Sequence, residues 1–489
     1  MPKRRTRKIA SLSVPRELRP MDSNDVGSDN VKIETQVLEP ISSSSNSVSG
    51  VGITTFKLAK SGILQRDLRY KFTVTHGVVA GTGLHSFAMN SGALGVIERI
   101  VLKTSSGQVI HDIPSCNFLS MIKQNFVPVD YQNNIDRGEM GNVNPYNFTP
   151  ATVAVASGGG QLQVPDTEYR NSAVNGYSVQ RSGFKTRVDS GSTWCVPLNK
   201  VLPVFQQESS FFPLYKMKDD LIVEIHKASK DDWYISASAI DADNQNPVAL
   251  PASVQLTNEQ LVMNTIHYPP KVLEAIEKSA LGRSYPFLDY TLLRKSFGAV
   301  VSGNSLGEQT MRLGLQNRVL RNIYAVKSHP TDKNVWNGAL YSCHQPNQQW
   351  NLKLNDRQIF NTNINNPSSE HDLLEETSDN QPNISLPLFS NNTQLANVNL
   401  VRQNQGIGDK SDLAGRMNIL GVDLRLVPDD NVIDGNGLQI GTAPCEFRLN
   451  YDALTAQDAD SDKSVDLKLF FCYARSYSLG QDGTLITSY

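Results

Sequence analysis

At 489 residues with 39% hydrophobic side chains, the chain can bury two sizeable cores, and 33 Gly and 24 Pro exclude a collagen-like composition. A net charge of −2 excludes a global field that would gather nucleic acid, so any such contact has to be local. Five scattered cysteines with no CxxC pair speak against a disulfide framework and a cysteine zinc site, and no apolar run reaches the ~18 residues of a membrane-spanning helix.

Residues 1–50 read as a flexible basic arm. They open with Lys3, Arg4, Arg5, Arg7 and Lys8, lack the apolar stretch of a secretion signal, and run into ISSSSNSVSG. Such a segment buries little apolar area and is expected to order only on docking. Its five positive charges suit a phosphate backbone, an anionic membrane face or an import receptor; a merely solubilising tail is the plainer alternative.

From residue 51 the apolar residues recur with period two, the mark of half-buried strands. Leu68, Tyr70, Phe72 and Val74 alternate with polar residues, as do Leu221, Val223 and Ile225; TFKLAK, STWCVPL, DWYISASAI and EQLVMNTIHY add candidates, about eight strands over 51–268. A short helix is predicted near 114–126, and residues 127–191, with VASGGGQL, form a long polar loop. PPKVLEAIEKSALG, within 269–282, reads as a linker helix closed by Gly282. Strands resume over 283–489: Leu420, Val422, Leu424 and Leu426 fall on one face, and CEFRLNYD and SVDLKLFFCYARS alternate in the same way. An Asn-rich segment with an acidic patch, 361–399, interrupts them. Two tandem all-β sandwiches follow from this spacing.

One pattern occurs twice. In VIERIVLKTSSGQVIHDI, Ile100 and Leu102 precede a polar turn and Gln108-Val109 follow it; in QWNLKLNDRQIFNTNI the counterparts are Trp350, Leu352 and Gln358-Ile359.

The catalytic and metal motifs are weak. GNSLG, around Ser305, matches a nucleophile elbow, but its flanks are strand-like with no parallel strand-to-helix context, so a polar turn is expected. DADSD (Asp458, Asp460, Asp462) lacks the Gly and Glu that complete a calcium loop. The eight histidines (76, 85, 111, 226, 267, 329, 344, 371) show no ligand spacing. No cofactor, metal or enzymatic activity is expected.

VIERIVLKTSSGQVIHDIPSCNFLSMI, FFPLYKMKDDLIVEIHKAS, EQLVMNTIHYPPKVLEAI and GNGLQIGTAPCEFRLNYDAL with DLKLFFCYARSYSL together resemble the double jelly-roll major capsid proteins of tailless icosahedral DNA viruses, in the virophage, polinton-like and adintovirus group. The resemblance implies two eight-stranded jelly rolls, 51–268 and 283–489, and a structural protein that trimerises into pseudo-hexagonal capsomers of a virion shell around a DNA genome. It further implies neighbouring capsomers, penton and minor or cement proteins as partners, genome DNA or an internal membrane at the arm, and host receptor contacts at the loops. A tandem carbohydrate- or protein-binding module, a minor capsid or spike protein, and a jelly-roll enzyme stay open as alternatives; the first calls for exposed tryptophans among Trp194, Trp233, Trp336 and Trp350.

Overall fold

The structure, a computed structural model, describes residues 31–43, 52–76, 83–87, 92–124, 126, 191–206, 210–238, 254–298, 305–328, 348–377, 419–426, 436–450 and 465–488. In the first half the strands are β1 (Lys32–Leu38), β2 (Ser42–Ser43), β3 (Ile53–Lys57), β4 (Ile63–His76), β5 (Gly83–Phe87), β6 (Ile97–Thr104), β7 (Val109–Pro114), β8 (Ser192–Pro197), β9 (Leu221–Lys227), β10 (Tyr234–Ser238) and β11 (Val254–His267). Helix α1 (Cys116–Gln124) follows β7, and α2 (Pro270–Ala280) links the halves. The second half holds β12 (Ser284–Phe297), β13 (Gln309–Arg312), β14 (Val319–Ser328), β15 (Gln349–Leu354), β16 (Arg357–Gln358), helix α3 (Pro367–Glu376), β17 (Ile419–Asp423), β18 (Leu438–Gln439), β19 (Glu446–Asn450), β20 (Val465–Leu479) and β21 (Leu485–Ser488).

The repeated hairpin belongs to a repeated topology. The first half forms a sheet ordered β1-β11-β4-β8 and a sheet ordered β2-β3-β9-β6-β7, with β5 and β10 paired beside them. The second forms β12-β20-β14-β17, with β18 and β21 at its flanks, and β13-β19-β15-β16. Strand for strand the orders agree: the first, eighth, third and sixth main strands lie in one sheet, and the second, seventh, fourth and fifth in the other. Every pairing is antiparallel, and among the described residues no strand of one half pairs with the other half. This is the double jelly roll. β6–β7 turns through Gly107 at φ +94°, and β15–β16 through Asn355 and Asp356 at φ +50° and +62°, the left-handed pair of a tight hairpin. Ile100, Leu102, Trp350 and Leu352 all point inward and are buried.

Period two works as read on most strands. Leu68, Tyr70, Phe72 and Val74 of β4 face Phe56 of β3 in one core, with Tyr70 and Phe72 ring centroids 5.1 Å apart. Each such side chain contributes roughly 1.5–3 kcal/mol on burial. Strand β20 differs: Leu467, Leu469, Phe471 and Tyr473 fill the second core, while Phe470, Cys472, Tyr477 and Leu479 fill the cluster continuous with the first.

Several expectations need correction. Residues 32–38 and 42–43, read as arm, are strands: β1 pairs with β11 from Lys32↔His267 to Leu38↔Leu261, and β2 pairs with β3. Backbone hydrogen bonds hold β1 there, since its inward positions include Glu34 and Gln36 while Ile33 and Val37 stay 58% and 53% exposed; periodicity carried no signal. Among the described residues, nine strands lie between 51 and 268, where about eight were expected. The first helix is shorter than predicted, 116–124. Residues 361–399 are not all loop, because α3 occupies 367–376: Asn366 accepts from Ser369 N (3.3 Å) at its start, and Glu370, Leu374 and Thr377 form its buried face. Leu426 lies past the end of β17 and is 70% exposed.

Candidate functional site

The two rolls meet on the outer face of the β12-β20-β14-β17 sheet. Tyr285, Phe287 and Tyr290 of β12 and Tyr477 of β20 cluster there with Phe211 and Phe212 of the first roll. Tyr477 stacks between Phe212 (4.8 Å) and Tyr285 (5.1 Å), and its hydroxyl accepts from Phe211 N (2.7 Å) and donates to Phe211 O (3.1 Å). Helix α1 lies against the same sheet: Lys468 sits 3.8 Å from the Phe118 ring and Lys123 4.7 Å from that of Tyr290.

A buried polar joint crosses this seam. His111 of β7 and Asp289 of β12 are both buried, with Nδ1 and Oδ1 2.9 Å apart. Val204 N donates to Nε2 (3.1 Å), so Nε2 carries no proton and the Nδ1 proton goes to Asp289. Asp289 Oδ2 accepts from Arg475 Nη1 (2.7 Å) and Tyr473 OH (3.1 Å), and Arg475 Nη1 also donates to Ile110 O (2.8 Å). Burial holds the His111 imidazole below its usual range, which keeps it neutral, against the pull of Asp289. Burial would raise the Asp289 carboxyl, but the hydrogen bond from His111 and the charge and hydrogen bond of Arg475 outweigh it and hold it low. A histidine–carboxylate pair can serve as a catalytic base, but here both ring nitrogens are engaged and the ring is sealed from solvent. The arrangement can lock two domains together; it cannot meet a substrate.

Each roll also carries a polar bridge between its two facing sheets. In the first, a bulge between Thr257 and Gln260, with Asn258 at φ +51°, turns Glu259 of β11 into the core. There it meets Lys227 Nζ of β9 (2.5 Å), Tyr70 OH (2.6 Å) and Thr54 Oγ1 (2.7 Å). Burial, then the Glu259 charge, pushes the Tyr70 hydroxyl well above its usual range. In the second, Lys327 of β14 donates to Oε1 of Gln348, at the start of β15. Gln348 Nε2 donates to Glu370 Oε1 of α3 (2.7 Å), which also accepts from Trp350 Nε1 (3.1 Å).

Of the residues singled out from the sequence, Lys3, Arg4, Arg5, Arg7 and Lys8, the DADSD stretch and VASGGGQL lie outside the described residues. Ser305 is exposed; its Oγ accepts from Gly307 N (3.1 Å) ahead of β13, which pairs antiparallel with β19, so Ser305 leads into an antiparallel strand and not into a helix. Trp194, Trp233 and Trp350 are buried, leaving no aromatic platform among the described residues. No group of three or more metal-ligating side chains occurs among them either. The two bridge lysines went unread, although each holds the next inward position of its row: Leu221, Val223, Ile225, then Lys227, and Ile323, Ala325, then Lys327.

Neither a protein-family model nor a curated protein sequence matches the chain. Its fold is the double jelly roll of viral major capsid proteins. It is similar to a PBCV-1 virus capsid structure at 13% identity and TM-score 0.57, covering 94% of this chain and 97% of that one. The mavirus major capsid protein aligns at 13% identity and TM-score 0.52 over 100% and 96% of the two chains. The Faustovirus major capsid protein does so at 9% and 0.51 over 91% and 90%.

Proposed function

We propose that this chain is the major shell protein of an icosahedral virion, acting through its surfaces rather than through an active site. The observation that carries the reading is the pair of rolls with matching strand orders, locked by the His111–Asp289–Arg475 joint. Two similar lobes fixed in one chain let three chains around an axis present six, a pseudo-hexagon suited to tiling a curved shell around a DNA genome. Sealing the joint from water suits a particle that keeps its shape, and the buried tryptophans weigh against a carbohydrate-binding module. Penton, minor or cement proteins would complete the shell. The arm residues Lys3, Arg4, Arg5, Arg7 and Lys8 would reach genome DNA, an internal membrane or a neighbouring subunit, and loops would meet a host receptor.

Sedimentation of the purified chain tests the reading: a particle of three 53.9 kDa chains, or shells built from it, is expected. A monomer that persists at micromolar concentration overturns it. Removing residues 1–30, which spares β1, should then leave the trimer intact and impair shell assembly or genome packaging.

A further inference from the structure

The second roll places a primary amine, a carboxamide and a carboxylic acid in hydrogen-bonded sequence inside a sealed core. Lys327 is 1% exposed, and Gln348 and Glu370 are fully buried. The order of contacts fixes the amide: Lys327 can only donate, so it faces Oε1, and the amide nitrogen therefore faces the Glu370 carboxyl. We propose that Lys327 and Gln348 join in an intramolecular isopeptide bond, formed by the chain itself with Glu370 as the proton carrier.

The geometry supplies the proximity this reaction needs. A carbonyl bond is about 1.2 Å long, so a nitrogen in contact with Oε1 has Cδ one short bond beyond it. Near-attack separations are roughly 3–3.5 Å. A small rotation of the Lys327 chain carries Nζ from the oxygen lone pair to the face of the carbonyl. Water is excluded, so the amide is not lost to hydrolysis first.

The atoms balance without a co-reactant. Lys327 Nζ gives its ammonium proton to Glu370 and attacks Cδ, forming the new C–N bond while the carbonyl pair moves to Oε1. A second Nζ proton is transferred to Nε2, which sits 2.7 Å from Glu370 Oε1. The Oε1 pair reforms the carbonyl, the Cδ–Nε2 bond breaks, and ammonia departs with the proton held by Glu370. Nothing is oxidised or reduced. The product, a γ-glutamyl-ε-lysine link, fastens β14 in one sheet to the start of β15 in the facing sheet, a covalent staple through the sandwich.

The test is the intact mass of the full purified chain under denaturing conditions, followed by a proteolytic map. The expected result is a chain lighter than its sequence by one ammonia, with a branched peptide joining the Lys327 and Gln348 segments. Glu370→Gln, close in shape, should restore the full mass and the separate linear peptides while its circular dichroism matches the parent. Wild-type chain of full mass with linear peptides, or an ammonia loss that maps elsewhere, overturns the proposal. A crosslink that forms undiminished in Glu370→Gln overturns the role given to that carboxyl. The wild-type measurement decides the bond whether or not any variant folds.

Discussion

The two rolls share a strand order, and each buries a lysine at the end of an inward row, yet they answer it differently. In the first, Lys227 meets the Glu259 carboxylate directly, with Tyr70 and Thr54 filling its remaining lone pairs. In the second, Lys327 meets a carboxamide, and the carboxyl stands one hydrogen bond further on. An ammonium facing a carboxylate is a stable end point, because a carboxylate is a poor electrophile. A lysine facing an amide, with a carboxylate behind it to take the proton, is a set of reactants. Topology repeats across the chain; the chemistry placed between the sheets does not.

The largest expected effect comes from stranding the first lysine. Glu259→Ala leaves Lys227 charged and buried beside an unmatched Tyr70 hydroxyl, and should cost about 3–5 kcal/mol in a denaturant titration. A cost under ~1 kcal/mol would mean that the bridge is not held as a charge pair. Asp289→Asn comes next. It keeps the shape of the joint but leaves the buried Arg475 without its carboxylate, at about 2–5 kcal/mol. It should split one calorimetric transition into two as the rolls uncouple. Gly421→Ala probes the second roll: a Cβ there would stand 2.7 Å from Leu374 Cδ1 and 2.9 Å from Leu374 Cα, pressing on the helix that carries Glu370. Overpacking of that kind costs about 1–3 kcal/mol, and the branched peptide should fall in yield.

The smallest effect is a pH dependence of the joint between the rolls. His111 titrates below its ordinary 6.5 in the folded chain, so as pH falls through that value the unfolded chain takes up a proton that the folded chain refuses. Stability contributed by a neutral His111 is therefore present above about 6.5 and declines below it. Asp289, held below 3.8, adds a second loss of the same sign as pH falls beneath that value. Denaturation midpoints from neutral to mildly acidic pH should drop for the parent and flatten for His111→Asn.

Most of the architecture was legible because alternation survives wherever one face of a strand meets a core and the other meets water. Leu68 to Val74 and Phe447 with Leu449 read correctly for that reason. β1 was lost because ladder hydrogen bonds, not apolar side chains, hold it to β11. Helix α3 was masked by its acidic surface, although Asn366-Pro367 followed by Glu370, Leu374 and Thr377 at helical spacing was a usable signal. The candidate sites were scarcely legible. His111, Asp289 and Arg475 lie 178 and 186 residues apart in their hydrogen-bonded pairs, so nothing local connects them. Lys327 and Gln348 stand out only once two sheets are laid face to face.

Strand β20 has a consequence for the order in which the molecule can be completed. It walls the second core with one face and closes the seam with the other, yet residues 465–479 are synthesised after their partners in β12, β14 and the first roll. Until they arrive, the second roll lacks a central strand, and Phe211 and Phe212 of the first lack Tyr477. The first roll can take shape early but cannot hide its flank. A ribosome paused before residue 465 would hold a half-finished molecule with an apolar side bared, and completion would arrive as one late event that sets both halves at once.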